Sequence, residues 1–226
     1  MIFDPTILLI LVPMLLGVLA QSRVKAAYDK YSKVRAGSGL PAYQAVRRLL
    51  DAGGAEQVQI ARVSGSLTDH FDPTTDTLRL SEGVYDSPSV AALGIAAHEA
   101  GHALQKQEHY PFLSLRTALV PIVNFGSRLA WPIFLVGLMF SFRPLLNAGV
   151  LLFSVVVFFS LITLPVELNA SRRAKKLLVE GGYLTQEEEK GVQEVLTAAA
   201  MTYVISFLSA LMQLVRLLLI SRRRRD

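Results

Sequence analysis

Cysteine is absent from all 226 residues of the chain. No disulfide can staple such a protein and no thiolate can bind a metal, so any metal site must be built from histidine and carboxylate. Histidine itself occurs only four times, which gives weight to any pair at fixed spacing. Basic residues cluster without interleaved aromatics and without a known nucleic-acid motif, so a nucleic-acid role is not indicated. Internal repeats and low-complexity segments are missing as well.

What is abundant is apolar sequence. At 52% hydrophobic the chain exceeds an ordinary soluble domain, and the excess is concentrated in runs. Residues 1–21 form a first run, interrupted by Asp4; Pro13 inside it, the lack of basic residues before it and the poor cleavage context at Ala20-Gln21-Ser22 mark a retained anchor. Residues 117–166 read as a transmembrane hairpin turning at Arg143-Pro144, in which Asn124, Ser127 and Arg128 are expected to face protein or water. Residues 167–194 form a polar linker whose first part is helical, and residues 195–226 an apolar helix with the basic tail Arg222 to Arg225. The expected class is a mainly α membrane protein with a small α+β domain at residues 22–116.

Within that polar stretch Pro41 to Ala52 shows helical spacing, with Gly53-Gly54 as its stop. Val58 to Val63 and Thr77 to Leu80 look like strands, with a turn at Asp72-Pro73-Thr74. A helix follows, with Ser87 as expected N-cap and Pro88 as first residue. It carries His98-Glu99-Ala100-Gly101-His102. On a helix the two imidazoles lie one turn apart on one face with a carboxylate beside them: two metal ligands and a general base for a zinc hydrolase. The strand Thr77, Leu78, Arg79, Leu80 just before it is either structural or an edge that binds extended substrate.

A catalytic zinc takes a third protein ligand. His109, Glu108 and His70 are candidates, but the metzincin spacing is not met, because Gln105 and Glu108 occupy its positions. Glu167 is the better choice, since a carboxylate at the boundary of a membrane helix invites a functional partner. A hairpin that crosses out and back returns Glu167 to the face that holds His98 and His102.

These residues resemble a known group, the YugP-type membrane zinc metallopeptidases of bacteria, in the neighbourhood of HtpX-type and CAAX-prenyl-type proteases. The resemblance spans nearly the whole chain. It rests on Asp72-Pro73 through Ser81, Val84-Tyr85, His98 through Gln105, Pro165 through Ser171, and Ala200-Met201-Thr202-Tyr203. It implies a zincin-like, gluzincin-type domain with one catalytic Zn2+ on His98, His102 and Glu167, and with Glu99 as base. The wider group often places aspartate four residues after the ligand glutamate, where this chain has Ser171. Ser171, Arg172, Arg173 and Tyr203 are the candidates for supporting a ligand or stabilising the oxyanion.

The expected activity is endopeptidase cleavage of membrane-associated protein or peptide substrates in the bilayer of a bacterial plasma membrane. A non-cleaving, zinc-stabilised scaffold is the alternative, against which Glu99 argues; a membrane hydrolase of non-peptide amides or esters needs the same site. The basic residues beside the apolar runs place the catalytic domain on the cytoplasmic face. Four full crossings would then leave Arg222 to Arg225 outside, against that rule.

Overall fold

The computed structural model describes residues 5–223. Residues 1–4 of the expected anchor and 224–226 of the basic tail lie outside them. After a short turn, α1 (Leu8–Tyr31) runs unbroken through the expected anchor boundary into the polar region. Then come α2 (Ala42–Ala52), β1 (Gln59–Val63), β2 (His70–Asp72), β3 (Thr77–Ser81), the single turn α3 (Glu82–Tyr85) and α4 (Val90–Gln107). Three long helices complete the chain: α5 (Pro111–Met139), α6 (Arg143–Glu180) and α7 (Gln186–Arg223). Helices α1, α5, α6 and α7 are each long and apolar enough to cross a membrane.

The four long helices pack side by side. Helix α6 packs along both α5 and α7, and α7 packs along α1. Their antiparallel alignment is visible in the pairing of Lys30 with Glu194 near one end and the approach of Arg216 to Thr6 near the other. Large apolar side chains such as Met14, Leu15, Phe125, Met139 and Leu151 point outward, as expected where hydrocarbon rather than water is the solvent. Pro144 sits in the first turn of α6 rather than in the connecting turn, a position that tolerates its missing N–H.

The small domain closes on one core in which α2, the sheet and α4 meet. Val46, Leu50, Leu78, Leu80 and Leu93 are fully buried there. Helix α4 starts two residues later than the sequence suggests: Ser89, not Ser87, is its N-cap, and the Ser89 hydroxyl accepts the Ala92 N–H at 3.2 Å. Ser87 is instead used by the neighbouring chain, its carbonyl accepting the Ala42 N–H at 3.0 Å.

The sheet corrects the strand reading. Its order is β1-β3-β2, with β1 parallel and β2 antiparallel to β3. The two runs read as strands pair in parallel, because the connection of about a dozen residues between them is long enough for a crossover, and a strand not foreseen, His70–Asp72, makes the antiparallel hairpin across the Asp72-Pro73-Thr74 turn. Thr77, Leu78, Arg79 and Leu80 consequently lie in the central strand, with both edges already paired, so they cannot add a substrate strand. The sheet's edges belong to β1 and β2, and β2 is the one tied to Glu99 through Phe71.

Gly101 sets the distance between α4 and α6. A Cβ placed there would stand 2.8 Å from the Ala170 carbonyl oxygen and 3.2 Å from its Cα. Because the obstacle is backbone, it cannot swing aside. Gly101→Leu is therefore expected to cost about 1–3 kcal/mol through overpacking, read as a lower thermal midpoint. Since the same contact holds α6 against α4, metal retention should fall with it.

Candidate metal centre

His98 and His102 lie one turn apart on α4, and Glu167 projects from the middle of α6. Glu167 is almost fully buried, at 2% exposure, just where the apolar part of its helix ends. Its Oε2 lies 3.2 Å from His98 Nε2 and 3.4 Å from His102 Nε2. One ligand atom from each of the three residues falls within 4.8 Å of the others. The imidazole rings stand edge to face, 4.8 Å between centroids, so both Nε2 atoms point towards one position. Two nitrogens and a carboxylate oxygen converging in this way could hold a divalent ion of the zinc type.

The far side of each ligand is also held. His98 Nδ1 lies 3.1 Å from the Ser171 hydroxyl. His102 Nδ1 lies 3.0 Å from Gln105 Oε1. The orientation of the Gln105 amide is fixed by its nitrogen, which donates to the Val166 carbonyl at 2.8 Å and to Asn169 Oδ1 at 2.9 Å. The remaining amide oxygen can only accept, so His102 carries its proton on Nδ1 and presents the Nε2 lone pair to the cluster. Replacing Gln105 by alanine should weaken metal binding by about 10–100-fold, measured by competition with a chromogenic chelator.

Arg173 is one layer further out. Its Nε donates to Asn169 Oδ1 at 2.8 Å, and its two terminal nitrogens grip Glu108 at 2.6 and 2.7 Å. Arg173 holds the Glu108 carboxyl below its ordinary range. The arginine therefore braces Asn169 and Gln105 and is not turned into the cavity. Arg172 is exposed and lines no part of the site. His109 occupies the link between α4 and α5 with φ of 54°, outside the cluster, and His70 lies in β2 with Nδ1 2.8 Å from the Thr68 carbonyl.

Glu99 stands beside the cluster rather than in it. Its Oε2 accepts the Phe71 N–H at 3.0 Å, which ties the carboxylate to the open edge of β2. Burial pushes the Glu99 carboxyl up from its ordinary range, against the opposing pull of the His98 and His102 imidazoles. Two cavities meet at this carboxylate. One, of about 490 Å³, is lined by Phe71, His102, Arg116, Glu167 and Tyr203; the other, of about 260 Å³, by Tyr28, Ile95, His98, Val195 and Tyr203. Tyr203 on α7 thus borders both.

Three participants escaped sequence reasoning: Gln105, Asn169 and Arg116. Arg116 NH1 reaches Glu167 Oε1 at 3.3 Å, leaving Oε2 for the imidazoles. Gln105 carries a recoverable signal, since it follows His102 by three residues on the same helix face. The other two meet their partners across the α4, α5 and α6 packing, which no local pattern encodes.

Four helices of membrane-spanning length, a small three-stranded sheet and a His-His-Glu cluster that could hold a metal ion together point to the class of membrane metalloproteins. The chain belongs to the family described as putative neutral zinc metallopeptidase, whose model matches residues 6–222. It is 48% identical over 207 residues to the Bacillus subtilis (strain 168) protein named "Putative membrane protease YugP", with 92% of each chain covered. No solved structure matches it. Membership of this family implies zinc as the metal.

Proposed function

We propose that the chain is a membrane-bound zinc metalloendopeptidase with a gluzincin-like site: His98, His102 and Glu167 hold one Zn2+, and Glu99 is the general base. The observation that carries this reading is the convergence of those three ligand atoms within 4.8 Å beside a second carboxylate, Glu99, that stands outside the cluster and lines the cavity. When bound, zinc supplies Lewis acidity, lowering the pKa of water and polarising a carbonyl. Glu99 takes a proton from the attacking water and returns it to the leaving amine as the C–N bond breaks. Its raised carboxyl suits both directions of transfer.

Substrate lies in extended form along the open edge of β2, the strand that also anchors Glu99 through Phe71. Tyr203 lines the cavity beside the cluster, which supports it as donor to the developing oxyanion; Arg173 is engaged by Glu108 and Asn169 instead. The basic residues after the first and third spans place the polar domain on the cytoplasmic face of a bacterial plasma membrane. A non-cleaving scaffold has no use for a carboxylate held free of the ligands.

The test is cleavage of an unfolded protein by the purified full chain in detergent. Hydrolysis should disappear with a zinc chelator and return on adding Zn2+. Metal-bound protein that cleaves neither unfolded proteins nor peptides would support the scaffold instead.

A further inference from the structure

Asn124, Ser127 and Arg128, expected to face protein or water, are not covered by the protein's own helices. All three are exposed, because α5 packs on α6 through a different stripe containing Val123, Gly126, Ala130 and Phe134. Arg128 has no hydrogen-bond or ion-pair partner among the described residues. It lies near the middle of the 29-residue α5, where an unpaired guanidinium facing lipid is costly and marks a functional surface.

The position of this polar stripe is informative. Thr117, Val120 and Pro121 of α5 line the larger cavity at the metal centre. Asn124, Ser127 and Arg128 follow them at i+3, i+4 and i+7 spacing, so they continue the cavity-lining face of α5 into the bilayer. Helices α5 and α7 flank α6 on either side, and α6 presents Glu167 between Arg116 of α5 and Tyr203 of α7. One face of α5 therefore leads from the middle of the helix to the site, polar at Asn124, Ser127 and Arg128 and apolar where Val120 and Pro121 meet the cavity.

We propose that this stripe docks the transmembrane helix of a membrane-inserted protein substrate, with an acidic side chain of that helix paired to Arg128. The substrate's flanking segment then enters the cavity along α5. The inference rests on the peptidase reading above and deepens it. Two features select this occupant: an unpartnered cation near the middle of an apolar helix of membrane-spanning length, and continuity of its face with the catalytic cavity. Arg116 and Arg128 are twelve positions apart, about 18 Å along a helix, so the paired acid lies about that far from the bond to be cleaved.

The experiment uses the full chain in nanodiscs with two probes sharing one cleavable tail: the tail peptide alone, and the tail fused to a single transmembrane helix with aspartate at mid-bilayer. Arg128→Leu should slow cleavage of the anchored probe about tenfold, the scale of a polar contact between membrane helices. Cleavage of the free tail and metal content should not change. Arg128→Glu should restore cleavage of an anchored probe carrying lysine in place of aspartate. Equal cleavage of aspartate and leucine anchors, an equal loss on the free tail, or cross-linking of Arg128-face positions between two copies of the chain would overturn the proposal while leaving the peptidase intact. Loss of all Glu99-dependent cleavage would remove the peptidase reading and this inference together.

Discussion

Glu99→Gln is expected to lower peptide hydrolysis by about 10²–10⁴-fold, the usual contribution of a positioned general base, while zinc remains bound. The two parts have separate causes. Glu99 is not one of the three clustered ligands, so the amide removes no metal bond. The Phe71 N–H that Glu99 accepts at 3.0 Å can still be accepted by the glutamine oxygen, which keeps β2 in place. Only the capacity to take a proton is lost. Steady-state cleavage of a fluorogenic peptide, run beside zinc analysis of the same preparation, checks both halves; full activity in this variant would remove Glu99 from its role.

Glu167→Ala should abolish stoichiometric zinc binding, an effect larger than the roughly 10–100-fold typical of losing a partner outside the ligand set. Two imidazoles remain, one donor short of a catalytic site. The substitution also strands Arg116, which in the intact protein lies 3.3 Å from Glu167 Oε1, beside the two imidazoles. Because the Arg116 side chain is 32% exposed, water compensates much of its charge, and the cost to folding stays below that of breaking a fully buried pair. Glu167→Gln separates the contributions, since it keeps the volume and hydrogen bonding of the side chain but offers a far poorer ligand. It should fold with a near-normal thermal midpoint and still lack tightly bound zinc.

The bundle and the cluster were legible in the sequence for a simple reason: each rests on a short-range period. Apolar runs of membrane length identify α1, α5, α6 and α7, and the i, i+4 histidines need only a helix to share a face. Glu167 became legible through topology, because a hairpin that crosses twice must return its end to the starting side. The sheet was less so. Thr77 to Leu80 has the composition of a strand whether it is central or at an edge, and its placement depends on the three-residue β2, too short to leave a period. The supporting shell is a product of helix packing: Asn169 and Arg173 reach Gln105 and Glu108 only because Gly101 lets α6 lie against α4. The outward direction of Arg128 likewise follows from which stripe of α5 meets α6, and both faces carry apolar residues.

The central claim is that one zinc ion is held jointly by α4 and α6. Its most direct measurement is zinc content, by elemental analysis, of wild type, Glu99→Gln and Glu167→Ala purified in parallel from the same membranes and exposed to the same mild chelator. One ion per chain is expected in the first two and none in the third. Full zinc occupancy in folded Glu167→Ala would contradict the claim.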